Sequence, residues 1–155
     1  MQSTTMISFL HVLLAFTAIA LLVIPGLMLE MVANTRDVNL IRRMFALGKF
    51  HGQLGGPIAL LTAIAGLIAA WQLGVSLTSG WLIAAYIVFV LVIGIGIGYH
   101  SRRELKIGAL AQASPLDAPS PELAAAIDDP LRVPALWVSA ILWIALIWLM
   151  VVKPF

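Results

Sequence analysis

The sequence predicts an all-α membrane fold, a four-transmembrane-helix antiparallel bundle with both termini outside, and three observations carry it. The chain is 62% hydrophobic and 10% charged, with a mean hydropathy of +1.06. Soluble domains are roughly a quarter charged. Four apolar segments, Met6–Leu29, Gly52–Leu73, Trp81–Tyr99 and Pro134–Val152, each suffice to span a hydrocarbon core, which takes about 20 helical residues. The cations are segregated. Arg36, Arg42, Arg43 and Lys49 follow the first span, and Arg102, Arg103, Lys106 and Arg132 follow the third, whereas Gly74–Gly80 carries no charge. The positive-inside rule then places the first and third connections in the cytoplasm. Lys153 is the exception, and its long stem allows it to snorkel. Residues 1–155 form a single integral membrane domain.

The first span is not expected to be a cleaved signal peptide. MQSTT has no positive charge, the apolar run is too long, and no small-residue cleavage site follows promptly, so Met1 is expected to be retained. Pro25-Gly26 predicts a kink near its inner end, where Glu30 marks the boundary. Asn34 is expected to cap a helix from Thr35, with Asp37 in its first turn. Val38, Ile41, Phe45 and Gly48 share a face of that helix, which fits a protruding extension of the second span, solvated rather than recognising head groups.

Along the second span Gly48, Gly52 and Gly56 recur every fourth residue, and Gly55, Ala59 and Ala63 form a second small row. Such rows let helix backbones approach closely. Pro57 predicts a bend. The third span ends in Gly94-Ile95-Gly96-Ile97-Gly98-Tyr99-His100, with Gly94 and Gly98 as a GxxxG pair. This is not a phosphate loop, since no strand precedes it and the lysine is missing. The second and third spans are expected to pair through their glycine rows, and Ala85 is expected to tolerate leucine better than Gly56 or Gly94. The helix should run on to about Ala111. Ser114–Pro121 reads as a linker, Ser120-Pro121-Glu122 as a helix start and Asp129-Pro130 as its stop. Trp137 and Trp148 lie near opposite ends of the last span, as belt residues do.

Composition also limits the chemistry. With no cysteine, thiolate metal sites, disulfides and thiol nucleophiles are excluded. A net charge of +2 does not make a nucleic-acid surface. No catalytic constellation and no metal-ligand spacing is found, which leaves His11, His51 and His100. His51 lies 20 residues before Trp71 and His100 lies 19 after Trp81, so both are about 30 Å from the outer anchors and level in depth. One bis-histidine haem between them is the sharper reading, with Arg42, Arg43, Arg102 and Arg103 pairing propionates or lipid head groups. Ordinary interfacial histidines are the plainer one. Close glycine packing argues for the plainer, because a haem needs its ligand helices wider apart than about 8 Å. His11 is either an interhelix hydrogen-bonding residue or a functional group inside the membrane.

Leu10-His11-Val12-Leu13-Leu14, Gly56-Pro57-Ile58-Ala59-Leu60-Leu61-Thr62-Ala63-Ile64-Ala65-Gly66-Leu67 and Trp148-Leu149-Met150-Val151-Val152-Lys153-Pro154 resemble an uncharacterised family of bacterial predicted integral membrane proteins. More remotely they resemble HemJ-type protoporphyrinogen oxidases and copper-resistance membrane proteins. The resemblance implies haem b at His11. Phe16–Ala20 and Glu30-Met31 stand where those enzymes carry a tryptophan, a glycine and a second histidine. Together these readings predict a non-catalytic, multi-pass protein of the bacterial cytoplasmic membrane, a small subunit or packing partner of other membrane subunits or of itself. The alternative is a haem-b-binding membrane protein in electron transfer or tetrapyrrole oxidation. A transporter is disfavoured for want of intramembrane carboxylates.

Overall fold

The computed structural model describes residues 2–154, except for the side chains of Gln2, Ser3 and Lys49. Met1 and the Lys49 ammonium, both used above, lie outside the described residues. The regular structure described is all helical: α1 (Gln2–Asn34), α2 (Val38–Gln72), α3 (Gly80–Ile95), a π-helical turn (Gly96–Ser101), α4 (Arg102–Ala113), α5 (Pro121–Ile127) and α6 (Arg132–Val152). Four stretches, Thr4–Asn34, Val38–Gln72, Gly80–Ala113 and Pro121–Val152, are long and apolar enough to cross a membrane. Helix continues through both Pro25 and Pro57.

The caps follow local chemistry, with one correction. Asn34 does not begin a helix but ends α1, and Asp37 is the N-cap of α2, accepting from the Leu40 N–H at 3.0 Å. Between them Arg36 takes a left-handed φ of 58°, a conformation that ends one helix and turns the chain into the next. At the other linker Ser120 caps α5, accepting from the Leu123 N–H, with Pro121 in the first turn as expected.

Packing is pairwise: α1 lies along α2, α3 lies along α6, and α2 meets α4. The expected pairing of α2 with α3 through glycine rows does not occur within the chain. The close approaches are instead to α1. A Cβ on Gly48 would come within 2.9 Å of Leu29, one on Gly55 would clash with Leu22, and one on Gly66 would come within 2.7 Å of His11. Positions 48, 55, 59 and 66 recur at spacings of seven and four, as a helix–helix seam requires, and Ala59 on that seam is buried. Gly52, Gly56, Gly94 and Gly98 have nothing within 4 Å of their Cβ positions. Ala85 also differs from expectation, because it is only 1% exposed in a cluster with Trp81, Leu82, Leu149 and Ala70. Leucine there would be forced into the α3–α6 contact.

The larger buried cluster lies at the other end of these stretches. Leu29, Ala33, Val38, Ile41 and Phe45 of the α1–α2 corner meet Ile107 and Ala111 of α4 and Leu123, Ala126 and Ile127 of α5. Ile41, Ile107 and Leu123 are fully buried. The face shared by Val38, Ile41 and Phe45 therefore packs against protein and is not a solvated extension. Burial of such side chains stabilises by about 1.5–3 kcal/mol each, so this layer positions the polar groups around it.

Candidate functional site

Charged residues gather where α1, α4, α5 and α6 converge. Glu30, near the end of α1, accepts from Arg103 Nη1 at 2.6 Å through Oε2 and from Arg132 Nη1 at 3.0 Å through Oε1. Arg103 also donates Nη2 to the Ile127 carbonyl at 3.0 Å, and Arg132 donates to Asn34 Oδ1. A single carboxylate thus links three helices. Its partners are partly withdrawn from solvent, with the Arg103 side chain only 12% exposed, so these bonds are screened less than surface pairs. Arg36 and Asp128 form a further pair at 2.7 Å, but both are half exposed and it contributes little.

The π-helical turn aims the neighbouring side chains. A wider helical turn at Gly96–Ser101 reduces the angle between successive residues, and such turns are rare and often occur at functional sites. Here Tyr99 donates its hydroxyl to Asp129 Oδ2 at 3.0 Å, and His100 Nε2 meets Ser139 Oγ of α6 at 2.9 Å. Adjacent residues are thereby both turned toward the α5–α6 side.

The four arginines singled out from the sequence divide into two kinds. Arg42 donates Nε to the Ala111 carbonyl at 2.7 Å and Nη2 to those of Gln112, at 3.1 Å, and Ser114. It therefore caps the C-terminal end of α4, where carbonyls lack intrahelical partners and the dipole favours a cation. Arg103 is held by Glu30. Neither is free to pair a propionate or a head group. Arg43 and Arg102 are exposed and, among the described residues, make no hydrogen bond or ion pair. Arg42→Ala is expected to lower unfolding stability by about 2 kcal/mol, measured by denaturant titration in detergent micelles. Arg42→Lys should recover only part, because one ammonium does not reproduce a guanidinium fork across three carbonyls. An unchanged stability in Arg42→Ala would refute the capping role.

The histidines do not converge. His11 Nδ1 lies 2.9 Å from the Thr62 carbonyl. A carbonyl only accepts, so Nδ1 carries the proton. The ring edge bearing Nδ1 and Cε1 faces α2, where a Cβ at Gly66 would lie 2.7 Å from Cε1, 3.0 Å from Nδ1 and 3.4 Å from Nε2. So placed, His11 is hydrogen-bonded between α1 and α2 through Nδ1, and its Nε2 makes no hydrogen bond among the described residues. His51 stands on α2 edge-on to Phe50 at 6.1 Å, with Nδ1 buried and unpartnered. His100 is turned toward Ser139 instead. That serine–histidine contact lacks a carboxylate bonded to the second ring nitrogen among the described residues, so nothing orients it as a base. No group of three or more histidine or acidic side chains suited to a metal occurs among the described residues.

Lys106, Asp129 and Ser139 belong to this region and were not singled out from the sequence. Lys106 had a legible signal, standing one turn beyond Arg102 on the same helix. Asp129 and Ser139 had none, since only folding brings them to Tyr99 and His100. Comparison of the chain with protein-family models, curated proteins and solved structures finds no match.

Proposed function

We propose that the chain is a non-catalytic, multi-pass membrane protein that works as a small packing subunit, assembling with other membrane subunits or with copies of itself. Its four spans run alternately across a bacterial cytoplasmic membrane, with both termini outside and the arginine-rich connections in the cytoplasm. One observation carries the assembly role. Gly52 and Gly56 on α2, and Gly94 and Gly98 on α3, are exposed with open space over their Cα atoms, while the chain's own close approaches use other glycines. In a bilayer, where apolar side chains gain little by leaving lipid, such backbone-level surfaces favour another helix. The sparse packing points the same way: between 6% and 28% of each apolar window is buried.

The experiment is native mass spectrometry on gently solubilised membranes. A mass above that of one chain is expected, and Gly56→Leu or Gly94→Leu should release the single chain without changing its unfolding stability. A wild-type monomer with no bound partner would sink the proposal. An absorbance spectrum of the same preparation tests the haem alternative, since a Soret band would overturn a purely packing role.

A further inference from the structure

Beside the ionic junction a groove of about 320 Å3 opens between the π-helical turn, α4 and α5. Its polar lining consists of Tyr99, Arg102, Arg103, Lys106 and Asp129, and Gly98 borders it toward the apolar span. The charges are not balanced. Asp129 is satisfied, accepting from the Tyr99 hydroxyl through Oδ2 and from the Leu131 N–H through Oδ1 at 2.9 Å. Arg103 is matched by Glu30. Arg102 and Lys106, one helical turn apart, are exposed and make no hydrogen bond or ion pair among the described residues. The groove therefore presents two cations with no hydrogen-bonded or ion-paired partner among the described residues on one face of α4, Lys106 within electrostatic reach of Asp129, beside a third that a carboxylate already holds.

The surroundings define what kind of anion fits. Ile97, next in the chain to Gly98, is 63% exposed, and Leu105, next to Lys106, and Leu131, next to Pro130, are each 61% exposed, so large apolar side chains lie open next in sequence to the groove's lining residues. That mixture belongs where hydrocarbon gives way to head groups, and long cationic side chains suit that boundary. Gly98 leaves open space over its Cα, so no described side chain crowds the groove at that position. An anion confined to water would need no such apolar margin.

We propose that this groove binds the phosphate-bearing head group of an anionic membrane lipid, with Arg102 and Lys106 as its anion ligands and the glycine side of the groove admitting the lipid's glycerol and chains. Arg102 supplies a planar fork to the two non-bridging phosphate oxygens and Lys106 a point charge beside them. This inference rests on the chain lying in a membrane but not on its being an assembly subunit, and a single-chain preparation tests it.

The full chain is delipidated in detergent, mixed with phosphatidylglycerol or phosphatidylcholine, and read by native mass spectrometry for retained lipid. Retention of phosphatidylglycerol over phosphatidylcholine is expected. The Arg102→Gln/Lys106→Gln pair should lower phosphatidylglycerol occupancy by roughly tenfold, while Arg43→Gln, which removes an exposed cation elsewhere, should leave it unchanged. Equal thermal melting of the three proteins without lipid would show that loss of binding is not loss of fold; should the pair melt lower, the test passes to Gly98→Leu, which narrows the lipid entrance and should also lower occupancy. Equal retention of both lipids, equal loss in Arg43→Gln, or full retention by both the pair and Gly98→Leu would overturn the proposal. Inorganic phosphate alone raising the melting temperature as much as phosphatidylglycerol would reassign the groove to a soluble anion and overturn the lipid assignment.

Discussion

Glu30→Ala is expected to destabilise the protein by about 2–3 kcal/mol, the upper part of the cost of leaving partly buried hydrogen-bonding groups unsatisfied. Among the described residues the carboxylate is the only acceptor for Arg103 Nη1, at 2.6 Å, and it also takes Arg132 at 3.0 Å. Without it two guanidinium groups face one another in a site where the Arg103 side chain is 12% exposed. Desolvation and like-charge repulsion then act together. Glu30→Gln keeps an acceptor but loses the charge, and should fall between wild type and alanine. The measurement is equilibrium unfolding in detergent for the three proteins, with Arg132→Ala as a milder comparison that leaves the Arg103 bond in place. A Glu30→Ala protein within about 1 kcal/mol of wild type would show that the junction is solvent-screened after all.

The second large effect is expected at Gly66, where Gly66→Leu should cost about 1–3 kcal/mol through overpacking. A Cβ there meets the His11 ring at 2.7 Å, and that ring is held by its bond to Thr62. It has nowhere to swing without giving up the bond. Gly55 meets the end of a flexible leucine, so Gly55→Leu should be less harmful although its contact is shorter. Gly56→Leu, with nothing near it, should leave the single chain's stability unchanged. The decisive comparison is Gly66→Leu in a His11→Ala background, where removal of the ring should recover much of the loss. Additive losses in the double variant would disprove the contact.

Several features were legible in the order of residues alone. Span number and approximate position follow from hydropathy, because a bilayer demands about 20 apolar residues per crossing wherever they pack. The Ser120 cap and the shared face of Val38, Ile41 and Phe45 were equally readable, since both are local in sequence and helical geometry converts spacing into direction. Asn34 was misplaced as a cap because Asp37, three residues on, offers the same chemistry, and a left-handed Arg36 selects between them.

Partner choice was not legible. Gly48, Gly52 and Gly56 form a more obvious row than Gly48, Gly55 and Gly66, yet the latter meets α1. Small residues permit approach from any helix, and the partner is selected by the side chains that fill the seam, His11, Leu22 and Leu29. The arginines show the same limit. Their positions in the chain established which connections are cationic, because charge is a property of composition. Whether each arginine is free depends on carbonyls and carboxylates brought from 24 to 102 residues away. The sequence by itself thus determined that the chain is helical, apolar and suited to a membrane. Only the tertiary structure decided which glycines carry contact, that Arg42 and Arg103 are structural, and that Arg102 and Lys106 stand unpaired beside a groove. Hydropathy and helix signals are summed over neighbours in sequence, while ion pairing and close packing depend on distances that only folding sets.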